Sequence, residues 1–69
     1  MSENCSMLID KIIELRKASG MTQRDLAKAA NLAQPAIARL ESKGATPQLD
    51  TLLKVLSAFG QQLEVVPLE

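Results

Sequence analysis

Apolar residues recur every three or four positions along most of this 69-residue chain, which is the spacing of one face of an α-helix. The first such segment predicts a helix over about residues 5–18, and Gly20 is placed to end it. A second helix is predicted over 23–30. Thr22 is its expected N-cap, and Asp25 is expected to complete a capping box with it.

Two further helices follow the same apolar pattern. Asn31 tolerates a positive φ and is expected to end the second helix in a tight turn. A third helix is predicted from 34 to 41 or 42, with Pro35 in its first turn, where no intrahelical donor is needed. A fourth is predicted from 47 or 48 to 59, and Gly60 ends it. The pattern therefore predicts an all-α fold.

The last segment, residues 61–67, has the composition of a β-strand. A helical chain offers such a strand no partner, so the tail is either disordered or pairs with the same tail of a second copy. The apolar residues in a polar context favour pairing, and an antiparallel ribbon of two tails is self-complementary. We therefore expect a short C-terminal strand that pairs across a homodimer through Leu63, Val65 and Val66.

Composition excludes several classes of protein. The chain is short enough to form one small domain, and it has no His and a single cysteine, Cys5. Without His it lacks the usual general base, and one Cys cannot hold zinc, so we expect no enzyme, no metal site and no cofactor. A lone Cys suits a reducing compartment. We expect no signal peptide and no membrane span, and hence a cytoplasmic location.

Charge is distributed unevenly along the chain. The net charge is zero, which by itself argues against a nucleic-acid partner. Residues 16–43, however, contain six basic and two acidic residues, whereas the rest of the chain contains two basic and six acidic ones. This segregation predicts one basic face and one acidic face. The acidic residues outside the basic segment are Glu3, Asp10, Glu14, Asp50, Glu64 and Glu69.

The most informative unit is a helix, a tight turn and a second helix over about residues 23–42. Ala27 is a small residue in the middle of the first helix, where the second helix must cross closely. The apolar positions that would lock the two helices together are Leu26, Ala30, Leu32, Ile37 and Leu40. This spacing favours a helix-turn-helix, in which the second helix protrudes, although a plain corner between two helices shows it too.

The segment MTQRDLAKAANLAQPAIARLESKGATPQLDTLLKVLSAFG resembles the Cro/phage-repressor type of helix-turn-helix regulator, the XRE family. The resemblance implies a lambda-repressor-like bundle of four or five helices. It also implies a DNA-binding domain over residues 1–60, followed by a tail over 61–69 that is the expected dimerisation element. The helix over 34–42 would then be the recognition helix, which enters the major groove of double-stranded DNA.

The resemblance assigns base contacts to the outer side of this helix. Gln34 matches a position that reads a base, and a glutamine amide can pair with adenine. Pro35 and Ala36 can meet thymine methyl groups, and Arg39 can bind guanine or fall on a phosphate. Gln23 matches a glutamine that touches a phosphate and braces Gln34.

Other positions are assigned to the DNA backbone or to the fold. The side chains expected to approach phosphates are those of Thr22, Arg24 and Lys43, together with the backbone N–H groups of the loop from Ser42 to Ala45. Arg16 and Glu41 match a partly buried ion pair between the first helix and the end of the third, which is a structural role.

The sequence departs from the family pattern in two places, and the second of them reduces direct base readout. Ala33 stands where Ser or Thr is usual, so the recognition helix lacks a side-chain N-cap, worth about 1 kcal/mol. Pro35, Ala36 and Ala38 replace polar side chains and leave few hydrogen-bonding readers. Specificity is therefore expected to rest on few base contacts together with DNA shape.

Three functions remain open at this point. The first is a homodimeric, sequence-specific regulator, a repressor that binds a DNA operator through two half-sites. The second is a DNA-binding antitoxin, because the chain is also similar to antitoxins of Hip- and Hig-type modules, which bind a toxin protein as well as DNA. The third is an interaction module that has lost DNA binding, which the zero net charge and the alanine-rich helix favour.

Overall fold

The computed structural model describes residues 1–68 and contains four α-helices and no strand within that range. The helices are α1 (Glu3–Ala18), α2 (Gln23–Ala29), α3 (Gln34–Ser42) and α4 (Leu49–Ala58). The prediction of an all-helical bundle is confirmed, and each boundary lies within about two residues of the predicted one. No helix in this range is both long and apolar enough to span a bilayer.

The core takes at least one apolar side chain from each helix. The side chains with 1% exposure or less are Ile9, Ile12, Leu26, Ile37 and Val55. The rest of the core is Ala27, Ala30, Leu40, Leu52 and Leu56. No polar or charged residue among residues 1–68 is fully buried. Burial of apolar surface therefore holds the four helices together, and each large core side chain contributes about 1.5–3 kcal/mol.

Two non-glycine residues adopt the left-handed conformation that ends a helix. Asn31 (φ 56°) follows α2, as the sequence predicts, and the N–H of Leu32 donates to the carbonyl of Ala27 at 2.8 Å. Lys43 (φ 59°) ends α3, although Gly44 stands next to it and tolerates this conformation more easily. The residue that ends α3 is thus charged.

The predicted C-terminal strand is absent from the described residues. Residues 61–68 form no ladder, and the side chains of Val65 and Leu68 are 101% and 102% exposed. A strand needs a partner edge for its backbone N–H and C=O groups, and four helices provide none. The expected C-terminal strand is therefore not supported by the isolated chain, and its pairing across a homodimer stays a proposal. The expected tail also includes Glu69, which lies outside the described residues.

A mostly buried ion pair joins α1 to the last turn of α3. The Arg16 guanidinium donates from Nε to Glu41 Oε2 at 2.6 Å and from Nη2 to Glu41 Oε1 at 2.9 Å. It also donates from Nη1 to the carbonyl of Met21 at 2.9 Å. The two side chains are only 13% and 7% exposed, so water screens the pair weakly. Breaking it by changing one partner leaves a mostly buried charge without its counterion.

The ion pair also sets the protonation of its carboxylate. Burial of Glu41 raises its pKa, but the hydrogen bonds from Arg16 and Gln23 outweigh burial, so the pKa lies below the ordinary value of 4.5. The hydrogen bond to Glu41 in turn raises the pKa of the Arg16 guanidinium. The unfolded chain therefore binds more protons than the folded chain when the pH falls toward 4.5.

We expect the free energy of unfolding to fall in acid through this pair. Its contribution is fully present above the ordinary carboxyl pKa of 4.5 and is lost as the pH falls through the lowered pKa of folded Glu41. Urea unfolding measured between about pH 7 and pH 3 tests this.

The matched control is the double variant Arg16→Met, Glu41→Met, which removes both charges together and is expected to unfold less readily than either single variant. The pKa of Asp25 is lowered as well. The free energy of unfolding of the double variant is therefore still expected to fall in acid through Asp25, but without the part of the decrease that Glu41 causes. Identical pH profiles for the two proteins would contradict the prediction.

Candidate nucleic-acid interface

The start of α2 is fixed by a capping box. The Thr22 hydroxyl accepts a hydrogen bond from the Asp25 N–H at 3.0 Å, and the Asp25 carboxylate accepts one from the Thr22 N–H at 2.9 Å. The hydrogen bond from the Thr22 backbone, and after it the bond with the Thr22 side chain, lowers the pKa of the Asp25 carboxyl. The carboxylate therefore stays charged at the positive end of the helix. Thr22 lies at the candidate interface, but its oxygen is already engaged in the cap.

The turn between α2 and α3 sets where the recognition helix begins. Ala27 is 3% exposed, and its small side chain permits the close crossing of the two helices. Ala33 is the N-cap of α3 and, being alanine, makes no side-chain capping bond, as the sequence predicts. Pro35 stands in the first turn. The start of α3 is therefore determined by the turn and the proline rather than by a cap.

Helical periodicity divides α3 into an inner and an outer side. Ile37 and Leu40 are buried in the core. The outer side, which we call the α3 outer face, consists of five exposed residues: Gln34, Pro35, Ala38, Arg39 and Ser42. Ala36 is only half-exposed and does not belong to this face. A projecting helix with one polar and solvent-exposed side has the shape that a major groove accepts.

Ala36 instead lines a cleft of about 670 Å³ between α3 and the segment that leads into α4. The lining residues are Pro35, Ala36, Arg39, Leu40, Ala45, Thr46, Pro47, Gln48 and Thr51. The polar residues Thr46, Gln48 and Thr51 therefore line the same cleft as Arg39. No role is predicted for them from the sequence, although the Thr46-Pro47 pair marks the segment as a turn.

Gln23 makes a different contact from the one the resemblance implies. Its amide nitrogen donates to Glu41 Oε1 at 3.1 Å. None of the hydrogen bonds among residues 1–68 joins Gln23 to Gln34, so Gln34 is not braced. A charged carboxylate is a stronger acceptor than an amide oxygen, which accounts for the choice of partner. Gln23 thus extends the ion pair of Arg16 and Glu41 to the first residue of α2.

The basic side chains of the helix-turn-helix unit differ in their pairing. Arg24, Lys28 and Arg39 are exposed, and none of them pairs with an acidic group of residues 1–68. Lys43 differs, because its ammonium nitrogen lies 2.6 Å from Asp10 Oδ1 on α1. Three of the four positive charges are therefore available to an anionic partner in the isolated chain.

Ser42 helps to end the recognition helix. Its hydroxyl donates to the carbonyl of Arg39 at 2.8 Å and accepts from the N–H of Gly44 at 3.2 Å. Both bonds hold the loop that follows α3, so the side chain acts here on the loop and not as a free donor. No cluster of acidic or sulfur ligands in the described part of the chain is arranged to hold a metal ion.

Comparisons with known proteins agree on one family. A family model described as Helix-turn-helix matches residues 12–66. An uncharacterized HTH-type transcriptional regulator from Haemophilus influenzae is 43% identical over 61 residues, which are 88% of this chain. Antitoxin HigA1 from Mycobacterium tuberculosis is 31% identical over 65 residues, or 94% of this chain.

A solved structure shares the fold as well. The structure, described as a toxin-antitoxin module from Streptococcus pneumoniae, is 38% identical and superimposes with a TM-score of 0.80 over 100% of this chain and 84% of that chain. The chain spans 62% of the length of the Haemophilus relative and 44% of the length of Antitoxin HigA1. Because the family model covers most of the chain and all of the α2–turn–α3 unit, the chain belongs to the XRE-type helix-turn-helix family of DNA-binding regulators.

Proposed function

We propose that this chain is a sequence-specific DNA-binding repressor that acts as a homodimer, with α3 in the major groove of each half-site. The observation that carries the proposal is the α3 outer face, which is solvent-exposed while the opposite side of the same helix is locked into the core. A rigid helix that projects from a small bundle can reach base edges without any rearrangement of the fold. Family membership supports the same conclusion.

Two side chains of the α3 outer face carry base recognition in this proposal. Gln34 pairs with adenine, and Arg39 binds guanine in bidentate geometry. Pro35 approaches a thymine methyl group from the α3 outer face, whereas Ala36, which does not belong to that face, reaches one only from the cleft side.

 Ala36 is half-exposed, and it lines the same cleft as Arg39. With so few readers, the shape and deformability of the operator supply the rest of the specificity.

Phosphate contacts position the helix on the duplex. Arg24 lies near the start of α2, and Lys43 lies just past the proposed recognition helix. The backbone N–H groups of residues 42–45 lie at the end of α3 and in the loop that leads to α4. The Thr22 hydroxyl and the Gln23 amide stand at the same edge, next to Arg24. Neutralising phosphates releases condensed counterions, so the affinity is expected to fall steeply as the salt concentration rises.

The double variant Gln34→Ala, Arg39→Ala tests the recognition helix. We expect it to weaken binding at least about tenfold, because each bidentate base contact contributes about 1–3 kcal/mol of discrimination. The probe is a duplex selected by the wild-type protein from a random DNA pool, and binding is followed by fluorescence anisotropy at several salt concentrations.

The matched control is Lys54→Ala, Gln62→Ala, which removes the same kinds of side chain from exposed positions away from α3. It is expected to bind nearly as well as the wild type. Unchanged affinity in a correctly folded Gln34→Ala, Arg39→Ala protein would contradict the proposal and favour an interaction module that does not read DNA.

Dimerisation through the tail completes this proposal. A single module buries little DNA surface, so useful affinity requires two copies on two half-sites. Leu63, Val65 and Val66 are 42%, 101% and 67% exposed, which leaves them free to pair with the same residues of a second copy. An antiparallel ribbon of two tails supplies each strand with the partner edge that the helices of its own chain lack.

Sedimentation equilibrium tests this contact. We expect the wild type to form a dimer that the triple variant Leu63→Ser, Val65→Ser, Val66→Ser converts to a monomer, because the ribbon loses its apolar cross-strand pairs. The control variant Gln62→Ser, Glu64→Ser changes polar positions of the same segment and is expected to remain dimeric. A monomeric wild type, or a dimeric triple variant, would exclude the tail as the dimer contact.

A second candidate function is that of an antitoxin. The chain is 31% identical to Antitoxin HigA1, and its fold matches a structure described as a toxin-antitoxin module. We propose that in this case α3 still binds DNA while a toxin protein binds elsewhere. The acidic residues outside 16–43 offer such a second face for a basic partner, and Glu3, Asp10 and Glu14 are all exposed on α1.

Co-expression with the product of the adjacent gene tests this second candidate. We expect that product to arrest growth when it is expressed alone, and this chain to restore growth. The variant Gln34→Ala, Arg39→Ala is expected to restore growth equally well, because the toxin contact lies away from α3. A neighbouring product that does not arrest growth, or an arrest that this chain does not relieve, would count against an antitoxin role.

A further inference from the structure

We propose that Asp10 sets the DNA affinity of this chain by holding Lys43 in an ion pair that a DNA phosphate must displace. The inference rests on the proposed DNA-binding function and adds a residue of α1 that makes no DNA contact itself. Asp10 is thus a positioning residue, and its effect on binding passes through Lys43.

The pair has a geometry suited to such competition. The Lys43 ammonium nitrogen lies 2.6 Å from Asp10 Oδ1, and the two side chains are 32% and 59% exposed. Lys43 is the C-cap of α3, with a φ of 59° and its N–H bonded to the Leu40 carbonyl at 3.3 Å. The backbone under the lysine is therefore fixed, while its ammonium group remains accessible to solvent and to a phosphate.

The pairing is selective within the helix-turn-helix unit. Arg24, Lys28 and Arg39 make no ion pair with any of residues 1–68, whereas Lys43 does. The carboxylate comes from α1, 33 positions earlier in the sequence, so the bundle itself brings the two charges together. One of the four cationic side chains of the helix-turn-helix unit is thus already paired with a carboxylate before DNA arrives.

Binding then involves an exchange of anions. A phosphate that takes Lys43 must replace the Asp10 carboxylate, and the displaced carboxylate stays close to the phosphate and repels it. An exposed pair of this kind is weak enough for a phosphate to compete with it. Asp10 therefore lowers the affinity for any duplex, whatever its sequence.

The test compares Asp10→Asn with Glu14→Gln. Both changes remove one negative charge from exposed positions of α1, one helical turn apart, but Glu14 has no ion pair with Lys43. The probe is a fluorescein-labelled duplex of mixed sequence and about 20 base pairs, long enough for two half-sites one turn apart. We expect Asp10→Asn to tighten binding about two- to five-fold more than Glu14→Gln at low salt.

A double-mutant cycle with Lys43→Gln assigns the effect to the pair. In the Lys43→Gln background we expect Asp10→Asn and Glu14→Gln to change the affinity equally, and thermal unfolding checks that every variant is folded. Equal effects of the two changes in the wild-type background, or an advantage of Asp10→Asn that survives Lys43→Gln, would overturn the inference. If the wild type and all variants fail to bind the duplex, the proposed function itself fails.

Discussion

The guanidinium of Arg16 joins three parts of the fold: α1, the end of α3 and the residue before the N-cap of α2. It binds both oxygens of Glu41 near the end of α3 and the carbonyl of Met21 just before α2. Glu41 in turn accepts from Gln23, the first residue of α2. One side chain of α1 therefore ties down both helices of the helix-turn-helix. The ion pair thus adds a polar contact to the apolar packing that buries Ile37 and Leu40.

The two sides of α3 have different surroundings and different roles. The buried side, with Ile37 and Leu40, and the ion pair at Glu41 fix the position of the helix. The outer side makes no contribution to the core and is available for recognition. The same separation applies to charge: the mostly buried ion pair is structural, while Arg24, Lys28 and Arg39 remain unpaired within residues 1–68. Binding can therefore use the outer residues without disturbing the fold.

The helices were predictable because their signals are local. A capping threonine, an asparagine that accepts a positive φ and a proline in a first turn each act within a few residues. The apolar spacing likewise predicts which side of α3 is buried. The family resemblance rests on the same local pattern and is confirmed by the match over residues 12–66.

The remaining features depend on distances that no local pattern encodes. Gln23 bonds to Glu41 and not to Gln34 because the bundle brings α2 and the end of α3 together. The pairing of Lys43 with Asp10 joins residues that lie 33 positions apart in the sequence. The composition of residues 61–67 indicates a strand, but a strand forms only against a partner edge, which one chain cannot supply.

The small side chains on the outer side of α3 have a consequence for how such a protein diversifies. Ala38 is exposed, does not belong to the core, and lies between Gln34 and Arg39 on a helix whose opposite side is buried. Larger or polar residues can replace it without cavities or strain. A single substitution at Ala38 thus changes the chemistry of the α3 outer face, while the architecture and the free energy of unfolding stay nearly the same.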